Sequence, residues 1–333
     1  MGYESPELSV VIACSRPDTM SDCLEGLKNQ VGCKRFEVIV VGDIKCLEGL
    51  GEGLDIKLIA CEEKHACVRR NIGIATSTGP LIAFLDDDTI PGERWVSTAV
   101  SQGGGIPKVL TGPEQPIVRG KVSELVFAVS QNLFAEGTRA HVCKVRKSVH
   151  WSDAPFCNFV IHRSVFDEVG LLATDIPWDM DDFEFCHRAR SIVTFENVPE
   201  LEIAHDRYPD SVKAFLAYKW RLRVRTGEKL ISHPSLYGRI PSVLFCALLP
   251  WLLLSSFWIV PIPAPEWGAA LLLVYVAILT AQLGTAYRFA GMPNVVPYLA
   301  LIVALHVVTG LGVQVGLMRG VAVGKRPDNL EAG

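Results

Sequence analysis

Four short apolar runs punctuate the N-terminal part of the chain. They are LSVVIAC (8–14), FEVIVVGD (36–43), DIKLIAC (55–61) and LIAFL (81–85). The runs are rich in β-branched residues and lack strict alternation with polar residues, which is typical of parallel strands that are covered on both faces. We therefore predict one strand for each run.

The segments between the runs carry a different pattern. RPDTMSDCLEGLKNQ (16–30) and CVRRNIGIATS (67–77) have the apolar spacing of helices. Strands that alternate with helices indicate βαβ units and a mostly parallel sheet. Ligands of such sheets bind beyond the carboxyl ends of the strands, which is where the pattern puts Asp43 and the run Asp86–Asp88.

Residues 105–210 are less regular. Each of VLTGPEQPIV, FCNFVIHRSVF, SIVTFENVP and LEIAHDRYP has room for a short strand, and DDFEFCHRAR (181–190) has the pattern of a helix. The chain contains no internal repeat and no low-complexity tract.

The C-terminal third is strongly apolar. Between Ile240 and Met318 the only charged residues are Glu266 and Arg288. The uncharged stretches 240–265, 267–287 and 289–318 each reach the roughly 20 residues that cross a bilayer core. We predict three membrane helices if the proline-rich stretch 240–265 crosses the bilayer, and two if it only enters the bilayer and returns to the same side.

The segment SVKAFLAYKWRLRVRTGEKL (211–230) mixes apolar and basic residues just before these stretches. This mixture suits a helix that lies on an anionic membrane surface, and it also suits a basic helix packed on its own domain. The predicted organisation is a catalytic domain at 1–210, a basic juxtamembrane helix at 211–239, a membrane region at 240–320 and a polar tail at 321–333.

The composition limits the classes of binding partner and the cellular compartment that we expect. The net charge of −4 over 333 residues does not suggest a nucleic-acid partner. The ten cysteines form no CxxC pair and no zinc-ligand spacing, and the N-terminus lacks the basic start of a cleavable signal peptide. Reduced thiols fit a domain that faces the cytosol.

Three consecutive aspartates, Asp86 to Asp88, follow the strand at 81–85. Like charges in a row repel one another, and a divalent cation with oxygen ligands cancels that repulsion. Residues i and i+2 of an extended segment point the same way, so Asp86 and Asp88 are able to share one site while Asp87 turns elsewhere. Bound Mg²⁺ or Mn²⁺ leaves room for phosphate oxygens, which implies a diphosphate ligand; the alternative is a solvated acidic turn.

The order of five segments resembles family 2 glycosyltransferases of the GT-A fold. The segments are SVVIACSRPD, FEVIVVGD, CVRRNIGIATSTGPLIAFLDDDTIPGERW, FCNFVIHRSVFDEVG and WDMDDFEFCHRAR, and the resemblance covers about residues 7–210. It implies an α/β domain with a Rossmann-like, mostly parallel sheet. It also implies inverting transfer of a sugar from a nucleotide-diphosphate donor.

The resemblance assigns donor-binding roles to seven residues. They are Ala13, Arg16, Asp43, Arg70, Asn71, Asp86 and Asp87. Asp43 takes the place of the acid that contacts the nucleobase, although Gly42 replaces its usual acidic neighbour, and Arg70 is placed for the donor phosphates. Arg16 equally suits a surface role at a helix start.

The resemblance also implies a metal site and a base. Asp88 corresponds to the direct ligand of Mg²⁺ or Mn²⁺, with Asp86 nearer the ribose. His205 corresponds to a further ligand in some members, although a lone histidine also suits a core.

Inverting transfer needs a group that takes the proton of the acceptor hydroxyl. In the pair Asp181 and Asp182, the second acid corresponds to that base, and helix capping is the alternative. Asn158 and Trp178 fall where family members shape the acceptor or sugar pocket, although either residue is also able simply to pack.

These features predict a multi-pass membrane enzyme with a cytoplasmic catalytic domain. Its partners are a nucleotide-diphosphate sugar, membrane lipids and a lipid-linked or membrane-embedded hydroxyl acceptor. A polyprenyl-phosphate glycosyltransferase is the alternative, against which the acidic pair argues, since a phosphate acceptor needs no base. A haloacid-dehalogenase-like phosphatase with Asp86 as nucleophile and a noncatalytic membrane scaffold are the remaining classes.

Overall fold

The computed structural model describes residues 5–32, 35–43, 51–105, 107–130, 147–176, 180–230, 273, 275–277, 280 and 295–324. The strands are β1 (Leu8–Cys14), β2 (Phe36–Gly42), β3 (Ile56–Ala60), β4 (Leu81–Asp86), β5 (Thr89–Pro91), β6 (Lys108–Thr111), β7 (Glu114–Pro116), β8 (Lys147–Ser148), β9 (Asn158–His162), β10 (Thr194–Asn197) and β11 (Ile203–His205). The helices are α1 (Pro17–Lys28), α2 (Ala66–Thr76), α3 (Trp95–Gly103), α4 (Lys121–Ser130), α5 (Ser164–Val169), α6 (Asp181–Ala189), α7 (Val212–Lys229) and α8 (Val295–Gly324).

A mostly parallel sheet forms the centre of the N-terminal part. Within the described residues its strand order is β3-β2-β1-β4-β9-β6-β10-β8. Strands β3, β2, β1 and β4 run parallel, and β9 joins β4 in the antiparallel direction. Every residue of β1 is buried, because apolar side chains cover both faces of the sheet, and this explains the unbroken apolar run in the sequence. The predicted α/β class is confirmed.

A second, smaller sheet has the order β5-β11-β7 within the described part of the chain. β11 lies between an antiparallel neighbour and a parallel one, with His205 opposite Thr89 on β5 and opposite Pro116 on β7. This sheet matters for the site, because β5 begins directly after the aspartate run and β11 ends at His205.

The Cα packing divides the chain into two units, Met1–Ile117 with Ala140–Arg207, and Val118–Arg139 with Tyr208–Gly333. In the second unit α4 joins the C-terminal helices through an apolar cluster that includes Phe127, Phe215 and Ile302. The boundaries that the sequence suggests, at 210, 239 and 320, stay a prediction.

Within the second unit α7 and α8 approach each other closely at glycines. A Cβ on Gly316 would overlap the carbonyl oxygen of Val224, and it would lie 2.8 Å from Cα of Gly227. Because this approach covers one face of α7, its basic residues Lys219 and Arg223 are buried together with its apolar ones.

Among the described residues, Val295–Ala322 is the stretch that is long and apolar enough to cross a membrane, with a mean hydropathy of 2.0. It overlaps the predicted stretch 289–318. The stretch 240–265 and almost all of 267–287 lie outside the described residues, so the multi-pass prediction stays untested. Trp178 also lies outside them.

Candidate active site

The three aspartates of the run diverge from the end of β4. Asp86 is the last residue of that strand, and Asp87 and Asp88 form the turn before β5. Thr89 closes this turn by donating its hydroxyl to the carbonyl oxygen of Asp86 at 2.7 Å. Each carboxylate faces at least one positively charged or basic group, Arg70 for Asp86, Arg16 for Asp87, and Arg16 with His205 for Asp88, which offsets the repulsion expected from three adjacent charges.

Asp87 holds the loop that follows β1. Its Oδ2 accepts the backbone N–H of Ser15 at 2.5 Å and that of Arg16 at 2.6 Å, and its Oδ1 lies 3.0 Å from Nη2 of Arg16. Burial raises the pKa of Asp87, and Arg16 opposes this rise. These bonds hold the loop after β1 beside the end of β4, and the donor-binding role of Asp87 stays a prediction.

Arg16 connects two of the acids. Its Nη2 also lies 2.6 Å from Oδ2 of Asp88. The Arg16 side chain is half exposed, at 52%, whereas the Asp88 side chain is almost fully buried. The guanidinium of Arg16 is therefore held at the rim of the site by two buried acids, and it still faces solvent.

Arg70 joins Asp86 to the acidic helix start. Its Nη2 lies 2.8 Å from Oδ1 of Asp86, and its Nη1 lies 2.8 Å from Oδ2 of Asp181. The guanidinium also stands over the ring of Phe156, 5.1 Å from the centroid. Arg70 is buried, and it thereby fixes the end of β4 relative to the first residue of α6.

Asp181 and Asp182 occupy the first turn of α6, and the N-cap position is Met180, whose side chain makes no capping bond. Burial raises the pKa of Asp181 to about 7, and the charge of Asp182 adds to the rise although Arg70 opposes it. Oδ1 of Asp182 accepts the N–H of Phe183 at 2.7 Å. Both acids are buried in a place where a helix N-terminus favours negative charge.

His205 stands between two carboxylates. Its Nε2 lies 3.2 Å from Oδ1 of Asp88, and its Nδ1 lies 3.2 Å from Oε1 of Glu114. Burial alone would lower the pKa of His205, but the charges of Glu114 and Asp88 outweigh it and hold that pKa well above its ordinary value. Burial alone would raise the pKa of Asp88, and His205 and Arg16 lower it.

The residues present fit a divalent cation. One potential ligand atom from each of Asp86, Asp88 and His205 lies within 4.8 Å of the others. Within the described chain, Oδ1 of Asp88 is buried and makes no hydrogen bond of good geometry. Carboxylate oxygens and an imidazole nitrogen are ligand atoms that bind Mg²⁺ and Mn²⁺.

Two of the predicted site residues make hydrogen bonds to protein groups outside the acidic cluster. The amide of Asn71 donates to the carbonyl oxygen of Leu172 at 2.9 Å and accepts the N–H of Leu172 at 3.1 Å. The buried amide of Asn158 accepts from Nε1 of Trp95 at 2.9 Å and donates to the carbonyl oxygen of Leu201 at 2.6 Å.

The remaining donor-side residues lie at strand ends. Ala13 is paired in register with Asp86, and the exposed Asp43 follows β2 directly. Gly42 has a φ of 150°, and a Cβ there would overlap the carbonyl oxygen of Cys14. The usual acidic neighbour of Asp43 is therefore sterically excluded in this chain.

Three further residues at this site were not predicted from the sequence. Glu114 contacts His205, Cys67 donates its thiol to Oδ2 of Asp181 at 3.3 Å, and Arg69 bonds to the loop after β1 through the hydroxyl of Ser15 at 3.1 Å. The detectable signal for Glu114 was an isolated acid inside a short predicted strand. Arg69 and Cys67 lie on a predicted helix, and no local pattern distinguishes them.

Comparison with known proteins adds a family and a fold. The family model described as glycosyl transferase family 2 matches residues 9–170. The glycosyltransferase AglE of Haloferax volcanii is 32% identical over 119 residues, a match that spans 32% of this chain and 38% of that relative.

Two solved structures are similar. The mannosyltransferase PcManGT from Pyrobaculum calidifontis, in complex with GDP-Man and Mn²⁺, has a TM-score of 0.52 at 17% identity over 86% of both chains. S. aureus TarS 1–349 in complex with UDP has a TM-score of 0.45 at 15% identity, over 66% of this chain and 65% of that one. The likeness to the mannosyltransferase supports a common GT-A fold.

Proposed function

Because the glycosyl transferase family 2 model matches residues 9–170 of this chain, we propose that it is a membrane-attached, inverting glycosyltransferase. It moves a sugar from a nucleotide-diphosphate sugar to a hydroxyl group of a lipid-linked or membrane-embedded acceptor. The observation that carries the proposal is the convergence of Asp86, Asp88 and His205 at the carboxyl end of β4.

The donor binds over this convergence. Mg²⁺ or Mn²⁺, held by Asp88, Asp86 and His205, would offset the charge of the donor diphosphate. Arg16 faces the same place with a half-exposed guanidinium, so it contributes a second positive charge. Ala13 and Asp43 line the strand ends on the nucleotide side, and the mannosyltransferase of similar fold was solved with GDP-Man and Mn²⁺.

The acceptor proton goes to Asp182. Inverting transfer takes one displacement, in which a carboxylate removes the proton of the attacking hydroxyl. Arg70 holds the neighbouring Asp181 at 2.8 Å, which sets the start of α6 and leaves Asp182 as the acid that acts on the acceptor. Water is kept from this step by the burial of both acids.

The C-terminal part supports the proposed membrane attachment. The helix segment Val295–Ala322 is long and apolar enough to span a bilayer, and the catalytic domain lies on the cytoplasmic side in the proposed topology. The predicted regions 240–265 and 267–287 add one or two further spans.

A polyprenyl-phosphate acceptor is the second candidate. Lys219 and Arg223 are both buried on α7, and Nε of Arg223 has no hydrogen-bond partner within the described residues. Basic residues on a helix of this kind favour an anionic lipid head group. An acceptor of this kind is already an anion and needs no base.

A screen of nucleotide sugars with native lipid extract tests the function. We expect the full-length protein in detergent, with Mn²⁺, to consume one nucleotide sugar and release its nucleoside diphosphate, as followed by mass spectrometry. Loss of the reaction on chelation is the expected control. Release of inorganic phosphate alone would indicate a phosphatase, and no turnover with any donor would indicate a scaffold; either result contradicts the proposal.

A further inference from the structure

The small sheet arranges acids on two sides of His205. In the parallel pair of β7 and β11, Glu114 is in register with Ile203, two residues before His205. Side chains two residues apart on a strand share a face, so Glu114 and His205 project from the same side of the sheet. On the other side β5 pairs antiparallel with β11, and it begins immediately after Asp88.

The two nitrogens of His205 therefore face different acids. Nε2 lies 3.2 Å from Oδ1 of Asp88, and Nδ1 lies 3.2 Å from Oε1 of Glu114. A histidine binds a metal through one neutral nitrogen, and the hydrogen bond of the other nitrogen determines which one is available. A carboxylate at Nδ1 retains the proton there and leaves the lone pair of Nε2 for the side where Asp86 and Asp88 lie.

Glu114 is itself held in a charged environment. Its side chain is 3% exposed, and its Oε2 lies 3.6 Å from Nη1 of Arg207. The guanidinium compensates the buried carboxylate and disfavours a second cation beside it. Glu114, Cys157 and His205 also have potential ligand atoms within 4.8 Å of one another and form a second candidate cation site. The positive charge of Arg207 next to Glu114 disfavours this second site and favours the site of Asp86, Asp88 and His205.

We propose that Glu114 is a positioning residue: its carboxylate, 3.2 Å from Nδ1 of His205, keeps the proton on that nitrogen and thereby leaves Nε2 for a divalent cation held with Asp86 and Asp88. This inference rests on the proposed function for the identity of the cation. It assigns to the segment PEQP a role in the site although Glu114 itself does not touch the cation.

Direct measurement of Mn²⁺ binding tests the role without any turnover. The full-length protein is titrated with MnCl₂ alone, and free Mn²⁺ is quantified by electron paramagnetic resonance. Glu114→Ala should weaken Mn²⁺ binding by roughly 10- to 100-fold, since removal of a carboxylate partner of a metal-binding histidine has effects of that size. Glu114→Gln keeps an acceptor oxygen and should weaken binding by less than about tenfold.

A double-mutant cycle separates positioning from general damage to the fold. In a His205→Ala background, Glu114→Ala should have no further effect on Mn²⁺ affinity, because its action passes through the imidazole. Glu37→Ala is the matched control: it removes a buried acid on β2 that bonds to Ser9 and Lys57. It should lower stability and leave Mn²⁺ affinity unchanged.

Three results overturn the inference. Equal Mn²⁺ affinity of wild type and Glu114→Ala removes the role of Glu114. A loss in Cys157→Ser as large as that in Glu114→Ala puts the cation at Nδ1 instead. Absence of Mn²⁺ binding by the wild type removes the metal site and this role with it. If the nucleotide-sugar screen fails and the double-mutant cycle still gives the expected Mn²⁺ affinities, the result counts against the transferase function and not against the role of Glu114.

Discussion

Nη1 of Arg70 lies 2.8 Å from Oδ2 of Asp181, and both side chains are almost completely buried. The two residues are 111 positions apart in the sequence. Because the second amino group of Arg70 bonds to Asp86, one guanidinium links the acidic end of β4 to the acidic start of α6. Asp86, a proposed metal ligand, and Asp181, the neighbour of the proposed base, are thus held by one shared cation.

This link predicts a structural defect in Asp181→Asn. The substitution removes one of two anions around a buried guanidinium, and the free energy of unfolding should fall by roughly 2 kcal/mol, because the bond to Asp86 remains. Chemical denaturation measures the change. Unaltered stability with a large loss of turnover would show that Asp181 has a chemical role instead.

Asp182→Asn should show the complementary behaviour. The amide keeps the size of the carboxylate and cannot accept the acceptor proton, so turnover should fall by roughly 100-fold or more. Donor affinity and the thermal midpoint should stay close to wild type. A folded variant that works at nearly the wild-type rate would remove the base and would favour the polyprenyl-phosphate acceptor.

Asp88→Ala should abolish transfer and Mn²⁺-dependent donor binding. Asp88 contacts both Arg16 and His205, so its loss removes an oxygen ligand and frees two partners. Calorimetry of the donor with and without Mn²⁺ measures the effect, and Asp22→Ala on the exposed face of α1 is the control. Donor affinity that still rises with Mn²⁺ in Asp88→Ala contradicts the metal assignment.

Glu37 makes stability depend on pH. It is buried, and although burial alone would raise its pKa, hydrogen bonds from Lys57, Ser9 and Thr78 lower the pKa from 4.5 to about 2. A folded-state pKa below the unfolded one stabilises the protein above about pH 4.5, and the stabilisation disappears as the pH falls toward 2.

The test compares the free energy of unfolding in urea of the wild type with that of Glu37→Gln. The wild type should be more stable by roughly 3 kcal/mol at pH 6, and the gap should narrow by pH 3 as the carboxylate of the unfolded chain becomes protonated. A gap that is constant between these values would show that the ion pair contributes no pH dependence.

Gly316→Ala should separate α7 from α8. The added methyl group has no space between Val224 and Gly227, so the thermal midpoint in detergent should fall by several degrees, as expected for a loss of about 1–3 kcal/mol through overpacking. Gly104→Ala is the matched control, because nothing lies within 4 Å of the Cβ that it adds. Equal midpoints for the two variants would contradict the close approach.

Local patterns in the sequence were sufficient for the elements that surround the site. The apolar runs specify β1, β2 and β4, because a strand buried on both faces needs apolar residues at most positions, and the run of β3 marks a partly buried strand at the edge of the sheet. The prediction that Asp86 and Asp88 share a site while Asp87 turns away agrees with the structure, although a turn after β4, and not a continued strand, produces this arrangement.

Contacts between distant segments were decided only by the tertiary structure. Glu114 reaches His205 because β7 and β11 pair in one particular register, and a register between segments 91 residues apart leaves no periodic trace in either of them. The same holds for the contacts of Arg70 with Asp86 and Asp181, which join residues from distant segments; its assignment to the donor phosphates stays a prediction. The sequence therefore determined which residues are available for the site, and the packing of the sheets and helices determined which of them meet, because side-chain contacts depend on the relative placement of whole elements.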